Sequence, residues 1–304
     1  MLRYLNYNTI LKQEFSERIQ KISIHAGFTC PNRDGSKGVG GCTYCNNQSF
    51  SPRYAKPVKS VYEQLVEGID FFNHKYESQL YFAYFQSYTN TYDKLENLIK
   101  IYEEALQHPK VAGIVVGTRP DCISDELLDY FAELNKSKYV MIEYGIESTN
   151  DSTLEFINRK HDYACAEEAI FKTSDKGLRT GAHLILGLPK ENKEIMLSHA
   201  EKISKLPLTA LKLHQLQLIK GTKMARQYNE NPEWFHLMTA EEYIELVVEF
   251  LERLNPKIAV ERFVSQSPDE FLIAPNWGLK NYEFVHKIEK RLEELDTWQG
   301  RFYG

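Results

Sequence analysis

Short β-rich runs recur along the chain at KISIH (21–25), LYFAYF (80–85), VAGIVVG (111–117), YVMIEYGI (139–146), AHLILG (182–187) and ALKLHQL (210–216). Between them lie longer segments with apolar residues at helical spacing, among them 61–72, 95–106, 123–134, 165–177 and 193–204. Ser124 ahead of Asp125 and Glu126 is a helix start, and Gly177 a helix stop. Strands alternating with helices predict a parallel sheet with right-handed crossovers, either an open doubly wound sheet or an incomplete barrel. In both, chemistry gathers at the C-terminal strand ends. The polar residues that follow the strands fall there: the loop from Cys30, Gln86, Thr118 with Arg119, Glu147, and the turn at Gly187. Beyond about residue 217 the pattern changes to a helix over 239–254, a short strand at 257–263 and a closing helix over 282–298. The expected division is a core over 1–216 and an α/β extension over 217–304 packed on it.

No linker of low complexity divides the 304 residues, and no run approaches the ~18 apolar residues of a membrane helix. The first fifteen residues hold no compact apolar segment with a small-residue cleavage site, so a cytoplasmic location is expected, with no membrane partner. The net charge of −5 argues against a surface that grips nucleic acid all over. The charge is uneven, however. Residues 1–60 carry nine Lys or Arg against three Asp or Glu, a local +6, which leaves −11 for the rest. A basic segment of that kind suits an anionic substrate.

Five cysteines, three of them within sixteen residues, do not form the even framework of a disulfide-stapled protein. The cluster reads CPNRDGSKGVGGCTYC, with Cys30, Cys42 and Cys45 spaced C-x11-C-x2-C and four glycines between. Three thiolates can hold three irons of a cubane and leave the fourth open, and the glycines let backbone N–H groups approach sulfur. Structural zinc, with His25 as a fourth ligand, is the competing reading of the spacing. Plain structural thiols are a third.

Further motifs bear on that choice: FQSYTNT at 85–91, GTRPDC at 117–122, EYGIES at 143–148, NRKHD at 158–162 and GLPKE at 187–191. With the CPNRDG…GGCTYC loop, they resemble the radical S-adenosylmethionine (SAM) superfamily. More closely, they resemble its YhcC/YtqA-type branch, whose core is like that of the elongator catalytic subunit, and the likeness covers essentially the whole chain. The resemblance implies a partial (β/α)6 TIM-type barrel, a 4Fe–4S cluster on Cys30, Cys42 and Cys45, and SAM on the open iron. One electron from a reduced flavodoxin- or ferredoxin-type donor would then cleave SAM to a 5′-deoxyadenosyl radical. It further implies that Tyr44 borders the adenine, Gln86 and Ser87 receive the methionyl ammonium, and Glu147 and Ser148 hold the ribose. Arg159 would meet the SAM carboxylate, and Ile185 and Gly187 the adenine. His183 stands where relatives carry an acid, and Gln215 is a further adenine contact. Cys122, at the same barrel end, is a candidate hydrogen-atom donor or a buried thiol, and Cys165 is assigned no role. For substrate the resemblance implies tRNA, at the step from 5-carboxymethylaminomethyl- to 5-aminomethyl-uridine at the wobble position, with Arg33, Lys37 and Arg53 near the RNA. The alternatives are a radical SAM enzyme for a small carboxylated or porphyrin-like substrate and a non-enzymatic Cys3His zinc protein that binds RNA.

Overall fold

A computed structural model describes residues 2–73 and 79–304. Helix α1 (Tyr7–Glu14) leads into β1 (Arg18–Ile24), followed by α2 (Val61–Asn73), β2 (Gln79–Phe85), α3 (Leu95–Leu106) and β3 (Val111–Thr118). Then come α4 (Asp125–Leu134), β4 (Tyr139–Glu147), α5 (Asp151–Phe156), α6 (Tyr163–Asp175), β5 (Arg179–Leu186), α7 (Lys193–Ile203) and β6 (Ala210–Gln215). The last part holds β7 (Leu218–Ile219), α8 (Lys223–Glu230), α9 (Ala240–Arg253), β8 (Ala259–Arg262), β9 (Leu272–Ala274) and α10 (Asn281–Glu294). Side-chain caps start the helices where the sequence offers them: Ser124 accepts from the Leu127 amide, Asp162 from Cys165, and Asn192 from Ile195.

The main sheet runs β1-β2-β3-β4-β5-β6-β8, all neighbours parallel, with β7 and β9 forming a small antiparallel pair beside it. The expected six-unit partial barrel gains a seventh parallel strand from the 257–263 segment, which pairs with β6. The sheet curls. Its edge strands β1 and β8 are six intervals apart, about 29 Å if the sheet were flat, yet Lys21 Nζ and Glu261 Oε2 meet at 2.7 Å.

The inside of the half-barrel is layered. At the bottom, Phe82, Val115, Tyr139, Met141, Ala210 and Ala259 pack with Tyr7 and Leu11 of α1, which plugs that end. Above lies a charged layer: Glu143 accepts from Lys21 and Lys212, each at 2.7 Å, and Glu261 from Lys21. Buried charges survive only when paired in this way. At the top, the inward positions Ser23, Gly117 and Gly145 are small, so the barrel opens into a cavity of about 440 Å3. On the outer face, apolar residues of the strands pack against α2, α3, α4, α6, α7 and α9 as one continuous core.

Candidate functional site

The loop after β1 is held by its own backbone before any side chain acts. The Arg33 and Asp34 amides donate to the Cys30 carbonyl (2.8 and 3.1 Å), the Gly41 amide to Asn32 (2.7 Å) and the Cys45 amide to Cys42 (3.1 Å). Gly41 takes φ +78°, and a Cβ there would lie 2.8 Å from Arg33 Nε, so this turn calls for glycine on both counts. The 158–162 segment staples the loop from outside. Asn32 Nδ2 donates to the Asn158 carbonyl (2.6 Å), Asn158 Nδ2 to Gly41 (2.8 Å), and the Thr43 amide to Ile157 (2.9 Å). The 117–122 segment supports the stapler: Arg119 bonds Asp121 at 2.9 Å and the Arg159 carbonyl at 2.8 Å, while Lys37 reaches Asp121 at 2.7 Å. At the β2 and β3 ends, Asn90 Nδ2 bridges the Phe85 and Gly117 carbonyls (3.1 and 2.7 Å).

This scaffold brings Cys30, Cys42 and Cys45 to the wall of the cavity at the C-terminal strand ends. Donors surround the sulfurs: Arg159 Nη1 and Asn32 Nδ2 each lie 3.6 Å from Cys42 Sγ, and Asn47 Nδ2 3.6 Å from Cys45 Sγ. Arg33 donates to the Cys45 carbonyl at 2.9 Å. Burial, with Cys42 adding to it, pushes the Cys45 thiol up to about 11 despite Arg33. Free thiols ringed by N–H donors and two guanidinium groups suit an anionic thiolate-bound cluster, which such donors stabilise. Among the described residues no three His, Cys, Asp or Glu side chains converge tightly enough for a single ion. His25 falls one residue beyond β1, outside the cavity lining. Its Nδ1 accepts from the Gly27 amide and its ring lies against Tyr88.

Of the other sequence candidates, Tyr44, Gln86, Glu147, Arg159, His183, Ile185 and Gln215 line the same cavity. Glu147 sits at the bulge ending β4 with φ +69°, a left-handed backbone that β-strand residues avoid, and its Oε1 lies 3.6 Å from Arg159 Nη2. Arg159 also bonds the Gly145 carbonyl, and it is buried. Gln86 bonds the Phe50 carbonyl at 3.1 Å. The Gln215 amide is taken up at both ends by Ser265, at 2.8 Å each way, and ties β6 to the chain after β8. Ser87, Ser148 and Gly187 lie behind the lining. Ser87 meets Ser51 at 3.2 Å, Ser148 donates to Glu191, and the Gly187 amide bonds Met196 sulfur. Cys122 lines a separate cavity of about 180 Å3 with Thr91, Asp93 and Ile123. Burial pushes its thiol up to about 12.

Among the lining residues that escaped the sequence reading are Ser23, Glu143, His214 and Arg262. Alternation along β4 and β6 could have flagged Glu143 and His214, since they share the inward face with Glu147 and Lys212. Arg262 carried no such signal, because the 257–263 run was not assigned to the barrel. Of the three basic residues read as near the RNA, Arg33 is half-buried and donates to the Cys45 carbonyl, whereas Lys37, paired with Asp121, and Arg53 are exposed.

The description "Radical SAM superfamily" matches residues 30–203, and "Radical_SAM C-terminal domain" residues 208–294. YtqA of Bacillus subtilis, an uncharacterized protein, is 34% identical over 99% of this chain and 93% of its own length. A tRNA uridine(34) acetyltransferase of Dehalococcoides mccartyi is 23% identical over 70% of this chain and 47% of its own. Among solved structures, the archaeal Elp3 of Methanocaldococcus infernus superposes with a TM-score of 0.69 at 15% identity, covering 93% of this chain and 64% of that one. The chain belongs to the radical SAM superfamily, and it is an enzyme. Within the superfamily it groups with YtqA, and the family implies SAM and a 4Fe–4S cluster. Among the described residues no helix is long and apolar enough to cross a membrane.

Proposed function

We propose that Cys30, Cys42 and Cys45 hold the cluster, that SAM lies beside it in the cavity, and that the enzyme acts on tRNA. There it would convert 5-carboxymethylaminomethyl- to 5-aminomethyl-uridine at the wobble position. The observation that carries the site assignment is that the three thiols, Arg159 and Glu147 all line one cavity at the C-terminal strand ends, with Arg159 between Cys42 and Glu147. When bound, the cluster and SAM supply a carbon radical able to take hydrogen from an unactivated carbon. The chain's own part is to bind, orient and exclude. Arg159, fixed by the Gly145 carbonyl, presents a planar donor pair suited to the carboxylate of SAM. Glu147, held in its strained turn, offers acceptors for two ribose hydroxyls, with Ser148 anchoring the turn on Glu191. Tyr44 and Ile185 supply apolar walls for adenine, and the Gln86 oxygen an acceptor for the ammonium. Ser87 and Gly187 position these walls from behind, Gln215 lines the cavity at the end of β6 as a further adenine contact, and Cys122 is left as a structural thiol. The core over 1–216 carries this machinery, and the 217–304 segment closes the far wall through β8.

The tRNA reading is supported by the distant relatives named for uridine 34 of tRNA and by the basic first sixty residues. A nucleoside profile of tRNA from a deletion strain tests it. Accumulated 5-carboxymethylaminomethyl-uridine is the expected result, and unchanged wobble nucleosides would remove the reading. The cluster assignment has its own readout. Anaerobically prepared protein should be brown and carry about four irons per chain, and alanine at Cys30, Cys42 or Cys45 should abolish most of that iron. Full iron in any of these variants would refute the ligand set.

A further inference from the structure

Four arginines line the cavity: Arg33, Arg119, Arg159 and Arg262. Three are committed. Arg33 serves the Cys45 carbonyl, Arg119 pairs with Asp121, and Arg159 faces Glu147 and Cys42. Of the two lining carboxylates, Glu147 faces Arg159, and Glu143 is neutralised by Lys21 and Lys212. Arg262 differs. Half-buried at the end of β8, it donates from Nη2 to His214 Nε2 at 3.2 Å and makes no ion pair among the described residues. A guanidinium directed into a cavity against a neutral acceptor keeps its charge and most of its donors unspent.

His214 is built to stay neutral. Its ring lies against that of His183, 5.4 Å between centroids. Burial, followed by Arg262, His183 and Lys212, holds its pKa well below the usual histidine range against the opposing charge of Glu143. With Nε2 accepting from Arg262, the proton sits on Nδ1, which becomes a further donor. The other groups about the pair are the Ser265, Gln266 and Ser267 turn, which is uncharged, and the Glu143 network below it.

Resting on the reading of this cavity as the radical SAM site, we propose that Arg262, positioned by His214, is the subsite for a carboxylate of the substrate. The carboxylate of SAM does not meet this need. That carboxylate is assigned to Arg159, which is anchored on β4, three places from β8 in the strand order and on another part of the lining. A nucleic-acid phosphate is a poorer occupant, since it would have to bring the backbone down to the level of His214 inside the barrel. A carboxylate on a short side group reaches the same depth through a few bonds, and the planar fork pairs with it through two parallel N–H bonds. Two sources share this chemistry: the side group of a modified uridine and a free small amino acid.

The test uses the full-length protein loaded anaerobically with its cluster, with iron content and SAM affinity measured for each variant. An anticodon stem-loop carrying 5-carboxymethylaminomethyl-uridine, the same RNA carrying 5-aminomethyl-uridine, and N-methylglycine are titrated separately. Wild type should prefer the carboxylated RNA by about tenfold or more. Arg262→Gln should erase that preference and leave SAM affinity and iron unchanged. A preference that survives Arg262→Gln overturns the proposal, and so does a fall in SAM affinity, which would place Arg262 in the SAM site. If wild type shows no RNA preference but binds N-methylglycine in an Arg262-dependent way, the subsite stands and the tRNA reading falls. If neither probe depends on Arg262, the subsite is wrong, whatever the cluster and SAM measurements show. Should the glutamine variant fail to hold iron, Arg262→Lys takes its place. Partial loss of the preference then supports the subsite, and full retention overturns it.

Discussion

At the scale of single residues, the site depends on positions where a side chain would be too much. Gly145 faces the cavity on β4, and a Cβ there would lie 2.4 Å from Glu147 Oε1 and 2.7 Å from Arg159 Nη2. Gly145→Ala must therefore displace both polar groups proposed to orient SAM, while the cysteine loop is held by other bonds. The expected outcome is a loss of SAM affinity of about tenfold or more, equal to 1.4 kcal/mol or more, with iron content close to wild type. Equilibrium binding of SAM to anaerobic protein measures it. Unchanged affinity would show that Glu147 and Arg159 do not meet SAM. Arg159→Ala makes the complementary case. It removes the donor at Cys42 sulfur as well as the proposed carboxylate contact, so both SAM affinity and iron retention should fall. Loss of iron alone would make Arg159 a support of the loop only.

At the scale of elements, the strands and crossover helices were legible because each run carries its own periodicity and punctuation. The 95–106 helix was placed to the residue, and the 210–216 strand to within one. What sequence alone could not supply was long-range pairing. The four-residue β8 is too short to announce its neighbour, and α1 carries only two buried residues, Tyr7 and Leu11. The cysteine loop was legible by composition and motif. Its supports were not, because Asn32, Asn158 and Arg119 act across gaps of 126 and 40 residues. Asp121 shows what those supports contribute. Burial alone would raise its carboxyl pKa, but hydrogen bonds and charge from Arg119, then Lys37, outweigh burial and hold it well below the usual carboxylate range. A group depressed in the fold stabilises above its unfolded value, about 3.9, and that stability drains away as pH falls below it. Asp121→Asn should cost about 3 kcal/mol at neutral pH, since Arg119 is left buried without its partner. The variant should also lose stability less steeply than wild type below about pH 4. Urea unfolding of the cluster-free chain across pH 3–7 reads both effects, and parallel curves would remove Asp121 from the loop's support.

At the scale of the whole molecule, an incomplete barrel must close the seam between its first and last strands without a ladder of hydrogen bonds. Two devices do so here. Below, the chain entering α1 lies on β8: Asn6 bridges Val260, and the Val260 amide donates to the Leu5 carbonyl at 2.8 Å. Above, Lys21 of β1 spans to Glu261 of β8 while also bonding Glu143, which in turn holds Lys212 and His183. Two lysines and two glutamates balance in charge, and Glu143 is the hub. Burial drives Lys212 down to about 8 even with Glu143 and Glu261 opposing it, so little charge can be removed before this lysine sheds its proton. Glu143→Gln therefore leaves Lys21 and Lys212 facing one carboxylate, and should destabilise the chain by about 3–5 kcal/mol. If the penalty comes from the orphaned lysine, adding Lys212→Met should recover much of it, because an apolar group of similar length replaces the unpaired charge. Denaturant unfolding of the two single variants and the double variant measures the coupling. Strict additivity would mean that the layer is a set of independent pairs, and that the seam is closed by α1 and the backbone alone.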